Sequence, residues 1–212
     1  DTGLTSAARY CYLVCAYFTD RTGNSANYSA ISGGKEVYIL PKTPVATVEA
    51  YEDGGLLIKV STTVDCTGYI YYRSTDNKTY TKLAATTAAS YADTTGTVGT
   101  TYYYKVAAYS GSETWCGTAS AAVSKAATPA SPRILSYSYD GSAVTIRWGA
   151  VEGVSRYKVF RRTDGDSTWT SWYVAVENTA YTDKTAVAGT KSIYPVQSDQ
   201  LVGSTRYYSP LS

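Results

Sequence analysis

Apolar and polar residues alternate along this chain with a period of two, in short stretches bounded by glycine, proline and aspartate. Alternation sends successive side chains to opposite faces of a strand. In YYYKVAAY it puts Tyr102, Tyr104, Val106 and Ala108 on one face and Tyr103, Lys105 and Ala107 on the other. YCYLVCAY, nearer the start, puts Tyr10, Tyr12, Val14 and Ala16 on a core face in the same way. Asp53-Gly54-Gly55, Asp140-Gly141 and Asp164-Gly165 supply the positive φ angles that tight hairpins need. No segment of ten or more residues holds a helical period. The pattern predicts an all-β chain.

The pattern also recurs. An aspartate stands nine positions before the start of a strand at Asp1 and Tyr10, Asp93 and Tyr102, and Asp183 and Ser192, giving periods of 92 and 90 residues. LLIKV ends at Val60 and VTIRW at Trp148, and each is followed nine residues later by another strand, from Tyr69 and Tyr157. PKTP (Pro41 to Pro44) and PASP (Pro129 to Pro132) lie 88 residues apart. Proline removes a ladder donor and pushes its predecessor toward extended backbone, so these segments mark boundaries. A repeat this long is a domain rather than a solenoid turn. The expected division is 1–41, 42–128 and 129–212. Between the two proline boundaries the pattern counts about seven strands, enough for two packed antiparallel sheets, and linkers this short predict a stiff rod.

A Trp-ended strand, Tyr-x-Val nine residues on, then Tyr-Thr-Asp, Gly-Thr and Tyr-x-Tyr-x-Val-x-Ala, resembles the fibronectin type III module in the form common in secreted bacterial proteins. Trp148, Tyr157, Val159, Tyr181, Asp183 and Gly189 carry the match in the third repeat. Tyr69, Asp93, Gly99, Tyr102, Val106 and Ala108 carry it in the second, and Leu4, Tyr10, Tyr12, Val14 and Ala16 in the first. The resemblance implies tandem immunoglobulin-like antiparallel β-sandwiches. Val60 stands where the family has tryptophan, and Ser192 and Pro195 interrupt the sixth strand of the third repeat. A tyrosine at the Ser192 position would anchor the corner between sheets, and Pro195 removes a donor from an interior strand. Either that end is irregular or the register slips there by a residue or two.

In this register the first repeat holds only its last two strands, roughly Ala8–Ala16 and Tyr28–Leu40, and the last strand of the third is cut short. A lone hairpin is marginal in water. The missing strands are expected either from upstream chain or from another molecule.

Charge and composition narrow the function. There are 23 Tyr, 17 Gly, no Met and no His, as suits a pleated, half-buried surface. Net charge is +2, from 19 basic and 17 acidic residues with no block of one sign, which points away from nucleic acid. No apolar run approaches the roughly 18 residues needed to cross a bilayer. Without histidine, Ser-His or Cys-His nucleophilic catalysis cannot be built within this chain. Asp1-Thr2-Gly3 spells the triplet of aspartic proteases, but Asp1 is the repeat marker shared with Asp93 and Asp183. Glu152, Asp166 and Glu177 lack the spacing of an acid/base pair. No catalytic residue, metal ligand or cofactor is assigned.

Cys11 and Cys15 lie about 13 Å apart on one strand at ~3.3 Å per residue, too far to bond to each other. A Cys66–Cys116 disulfide requires favourable loop geometry, the alternative being that Cys66 is a small buried residue. Cys116 is placed in register with Ser29 and Ser209. The expected contact surface is the outward face of the sheet holding the third and sixth strands: Ile70, Tyr72 and Tyr103, Phe160 in the third repeat, and Leu13 in the first. Aromatic faces stack on sugars or bury against proteins; equally, tyrosine is common on β-surfaces. Trp169 and Trp172 are expected to cover a sandwich edge. Asn27-Tyr28-Ser29 and Asn77-Lys78-Thr79 are glycosylation acceptors in a eukaryotic or archaeal secretory route.

These readings lead to a non-catalytic extracellular or cell-surface array, a spacer, stalk or adhesive segment whose partners are other domains of a larger protein or neighbouring copies. The alternatives are a carbohydrate- or protein-binding accessory module of an enzyme or adhesin, and a fibre subunit completed by strand complementation.

Overall fold

The structure, a computed structural model, describes residues 2–5, 8–19, 26–61, 66–165 and 173–212, with residues 26, 27 and 173 described through their backbone. Asp1, Asp166, Trp169, Trp172 and the Asn27 side chain lie outside the described residues.

The first repeat is a long antiparallel hairpin. β1 (Arg9–Tyr12) pairs with β4 (Lys35–Tyr38), Tyr10 opposite Val37, and β2 (Tyr17–Thr19) pairs with β3 (Ala26–Tyr28), Tyr17 opposite Tyr28. Two serines carry the ladder across the gap between these pairs. The N–H groups of Ser29 and Ser32 donate to the carbonyls of Ala16 and Val14, each at 2.8 Å, while their hydroxyls accept from the N–H groups of the same two residues. A hydroxyl thus replaces a backbone acceptor where the chain kinks, so the N–H groups of Val14 and Ala16 keep their partners.

The second repeat is a sandwich. One sheet holds β5 (Ala46–Ala50), β6 (Leu56–Val60) and β9 (Ser90–Asp93); the other holds β7 (Gly68–Ser74), β8 (Thr81–Thr86), β10 (Thr101–Ser110), β11 (Ser112–Cys116) and β12 (Val123–Ala126). β11 and β12 are two halves of one edge strand alongside β10, and Ser120 bridges the kink as Ser32 does. The residues that alternation assigns inward, Tyr102, Tyr104, Val106 and Ala108, meet Leu56, Ile58, Tyr69 and Tyr71 in one core.

The third repeat builds the same sandwich from β13 (Ile134–Tyr139), β14 (Val144–Trp148), β15 (Arg156–Phe160), β16 (Arg162–Thr163), β17 (Tyr173–Val176), β18 (Ala180–Asp183), β19 (Ser192–Ile193), β20 (Val196–Val202) and β21 (Thr205–Tyr208). Trp148, edge-on to Tyr157, fills the core with Ile146, Val159 and Val196. The sixth strand is interrupted between β19 and β20, at Tyr194 and Pro195, and the Pro195 carbonyl accepts from the Phe160 N–H. Here too serines 209 and 212 bridge the edge strand to Ser198 and Val196.

This ladder corrects one register. The N–H donated to the sixth strand comes from Ser29, Gly117 and Ser209. Gly117, not Cys116, is therefore the equivalent of the two serines, because the hairpin between the sixth and seventh strands differs from repeat to repeat and in the second carries a register shift between Tyr109 and Ser110.

Candidate functional site

Each sandwich encloses a carboxylate at the end of its fifth strand. Asp93 accepts from the Tyr104 phenol at 2.8 Å, from Arg73 Nη1 at 2.9 and 3.2 Å, and from the Thr95 hydroxyl and N–H at 2.7 and 3.1 Å. Asp183 repeats the node with Tyr194, Arg161 and Thr185 at 2.7–2.9 Å. Burial pushes both carboxyls up, and the hydrogen bonds from threonine, tyrosine and arginine outweigh it, leaving both below the usual carboxylate range. Burial, and then the same carboxylate, push the Tyr104 phenol up and hold it protonated. Both carboxylates are ion-paired, hydrogen-bonded links between sheets. In the third repeat Asp199 is also buried, between Arg156 and Arg206 at 2.8 Å each.

The structure divides the expected contact surface. Leu13 is 58% exposed, Tyr72, Tyr103 and Phe160 are half-buried, and Ile70 is 2% exposed and therefore not a surface residue. Ile70 sits opposite the small Ala85 and Ala107 on the neighbouring strands, on the face it shares with the larger Tyr72 and Tyr109. Nearby rings are covered by the chain's own cations: Lys105 Nζ lies 4.6 Å from the Tyr80 centroid, and Lys158 Nζ 3.8 Å from that of Tyr208.

Cys66 and Cys116 are not joined in a disulfide. Cys66 packs against the core, whereas Cys116 lies opposite Tyr109, on the outward side. Cys11 and Cys15 are exposed. Asn77 is exposed in a turn at φ 58°, its amide oxygen accepting from the Tyr80 hydroxyl.

One feature escaped the sequence reading. A cavity of about 470 Å³ opens in the third repeat between β13 and the loop leading into β19, lined by Tyr137, Tyr139, Val144, Val187, Ser192 and Tyr194 among others. Its origin is visible in the other repeats. The Tyr10 and Tyr102 hydroxyls accept from the N–H five residues earlier, of Thr5 and Thr97, each at 3.1 Å, which is the tyrosine corner of such sandwiches. The third repeat has Ser192 at this position. The available signal was the exchange of Val48 and Ala50 for Tyr137 and Tyr139, at matching places on the first strand of each sandwich.

No protein-family model matches the chain, and no curated protein sequence does. Among solved structures the chain is similar to the FN1–FN3 domains of chicken CNTN1, at 16% identity over 95% of this chain and 73% of that one, TM-score 0.39. It is also similar to a two-domain fibronectin type III segment of chicken tenascin, at 16% identity over 81% of this chain and 97% of that one, TM-score 0.37. A β-1,2-glucanase from Parabacteroides distasonis is 28% identical over 44% of this chain, which spans 15% of the glucanase, TM-score 0.36. The assignment to tandem immunoglobulin-like β-sandwiches stands on the strand order and the two cores.

Proposed function

We propose that the chain is a non-catalytic spacer or stalk segment of an extracellular or cell-surface protein, setting a fixed separation between the parts on either side. The observation that carries this reading is the joint between the two sandwiches. Its linker is largely buried at Ala127, Thr128, Pro129 and Pro132, where a flexible tether would be solvated. The Ser131 N–H donates to Glu52 O at 2.7 Å, the Ser131 hydroxyl to Pro210 O at 2.8 Å, and the Gly55 N–H to Thr128 O at 2.9 Å. These bonds reach both sandwiches. Gly99, at φ 86°, lies under the Tyr207 ring of the next sandwich, close enough that a Cβ would stand 2.9 Å from Tyr207 Cε2. The test is a distance distribution between spin labels placed one on each sandwich. A narrow distribution, broadened by inserting Gly-Ser-Gly after Ala130, supports a spacer; a broad one in the unmodified chain sinks the reading.

A second reading, assembly through completion of the first hairpin, is favoured by its open core face. Tyr12 and Val14 are 38% and 68% exposed, where their equivalents Tyr104 and Val106 are 1% and 0%. Sedimentation at rising concentration, with and without residues 1–41, tests it: association that persists without the hairpin rules it out.

A further inference from the structure

We infer that the third repeat carries a binding site for a small phenolic ring, in the space its tyrosine corner leaves vacant. The chain itself shows what fits there. Equivalent positions follow from the shared ladder, because the carbonyls of Val14, Val106 and Val196 accept from Ser32, Ser120 and Ser212. Tyr10, Tyr102 and Ser192 therefore correspond, as do Thr5, Thr97 and Val187. In the second repeat the Tyr102 ring lies against Gly96, so closely that a Cβ there would stand 3.0 Å from Tyr102 Cε2. The third repeat has Ala186 at that place and Ser192 in place of the corner tyrosine, and Ala186, Val187 and Ser192 all line the cavity.

The remaining walls suit an aromatic guest. Tyr137 and Tyr139 share one face of β13 and replace the smaller Val48 and Ala50, so aromatic surface is gained on the first strand where it is lost on the sixth. The Tyr137 hydroxyl is tied to Tyr194 O at 3.2 Å, which fixes one wall. Thr190 donates to Val187 O at 2.6 Å and holds the loop that forms another. The Val187 N–H stands where Thr5 and Thr97 donate to a phenol oxygen. A volume of about 470 Å³ falls within the ~300–1,000 Å³ of small-molecule sites, and apolar cavities in proteins take up simple aromatic rings. The ligand class is a single hydroxylated aromatic ring, its face against Tyr137 or Tyr139 and its oxygen accepting from the Val187 N–H.

The probe is p-cresol, titrated into the isotope-labelled 212-residue chain and followed by amide chemical shifts. Saturable shifts confined to residues 186–194 and the facing end of β13 are expected, with Val187 among the largest. Ser192→Tyr, and Ala186→Gly/Ser192→Tyr to make room for the ring, should abolish them by filling the site from within. Tyr139→Ala, at an exposed position that folding tolerates, should weaken binding and keeps the proposal testable if the filled variants do not fold. Absent or non-saturable shifts, shifts that survive filling in a folded variant, or equal shifts with a methyl hexopyranoside would each overturn the assignment.

Discussion

The phenol of Tyr104 donates a 2.8 Å hydrogen bond to the buried Asp93 carboxylate eleven residues before it, and Tyr194 repeats the bond to Asp183 at 2.9 Å. The pair joins the fifth strand of one sheet to the sixth strand of the other, so it acts as a rivet across each core. Tyr104→Phe keeps the ring and removes one donor from a buried charge. The expected cost is about 1.5–3 kcal/mol, the range for hydrogen bonds to charged groups. Urea unfolding of the variant measures it; a midpoint equal to that of the parent would show that the bond contributes nothing net.

Acid should unlock both sandwiches through these carboxylates. Asp93 and Asp183 titrate below the usual carboxylate range in the folded state. Their contribution is therefore fully present above the unfolded value, ~3.9, and is lost as pH falls through the lower folded value. Asp140 and Asp164, also lowered, add to the same trend. Unfolding midpoints should stay level from neutrality to about pH 5 and then decline. Asp93→Asn should be less stable at neutral pH, yet show a shallower decline below pH 4 in the transition of its own sandwich. An acid slope identical to the parent's would exclude Asp93 as a source.

Matched valines separate a core face from a bare one. Val106 is fully buried, and Val106→Ala should cost about 2 kcal/mol, within the ~1.5–3 kcal/mol of burying such a side chain. Val14 has the same place in its strand but lies exposed, so Val14→Ala should change the unfolding free energy by no more than ~0.5 kcal/mol. Comparable losses in a monomeric sample would mean that the hairpin face is covered.

Much of this was legible because the core is written as alternation. Parity alone placed Tyr102, Tyr104, Val106 and Ala108 inside, and the missing tyrosine at Ser192 with Pro195 marked the broken sixth strand. Parity was insufficient at Ile70, which faces outward yet is buried, since solvent access depends on the neighbours on its own and the adjacent strands. It was also insufficient at Cys116, since the β10–β11 hairpin shifts register between Tyr109 and Ser110 and so moves the count of the strand that follows. The cavity was illegible for a related reason. It is made by a residue that is small, Ser192, together with two that are large on a distant strand, Tyr137 and Tyr139, and only packing brings them together.

The joint between the hairpin and the first sandwich rests on another close approach. A Cβ at Gly117 would lie 2.1 Å from the carbonyl oxygen of Pro41, and beside it the Tyr38 and Trp115 rings stack with centroids 3.5 Å apart. Gly117→Ala must displace the Pro41 backbone and with it the stacked pair, while the sandwich core, which holds neither residue, keeps its packing. Lys42, exposed at this joint, then becomes a better tryptic site. If docking weakens by about 1.4 kcal/mol, the open population and the cleavage rate rise about tenfold. Timed digestion followed by mass spectrometry of the fragment ending at Lys42 reads this directly. Cleavage at the parental rate, with the sandwich still folded, would show that hairpin and sandwich are held together by contacts other than this one.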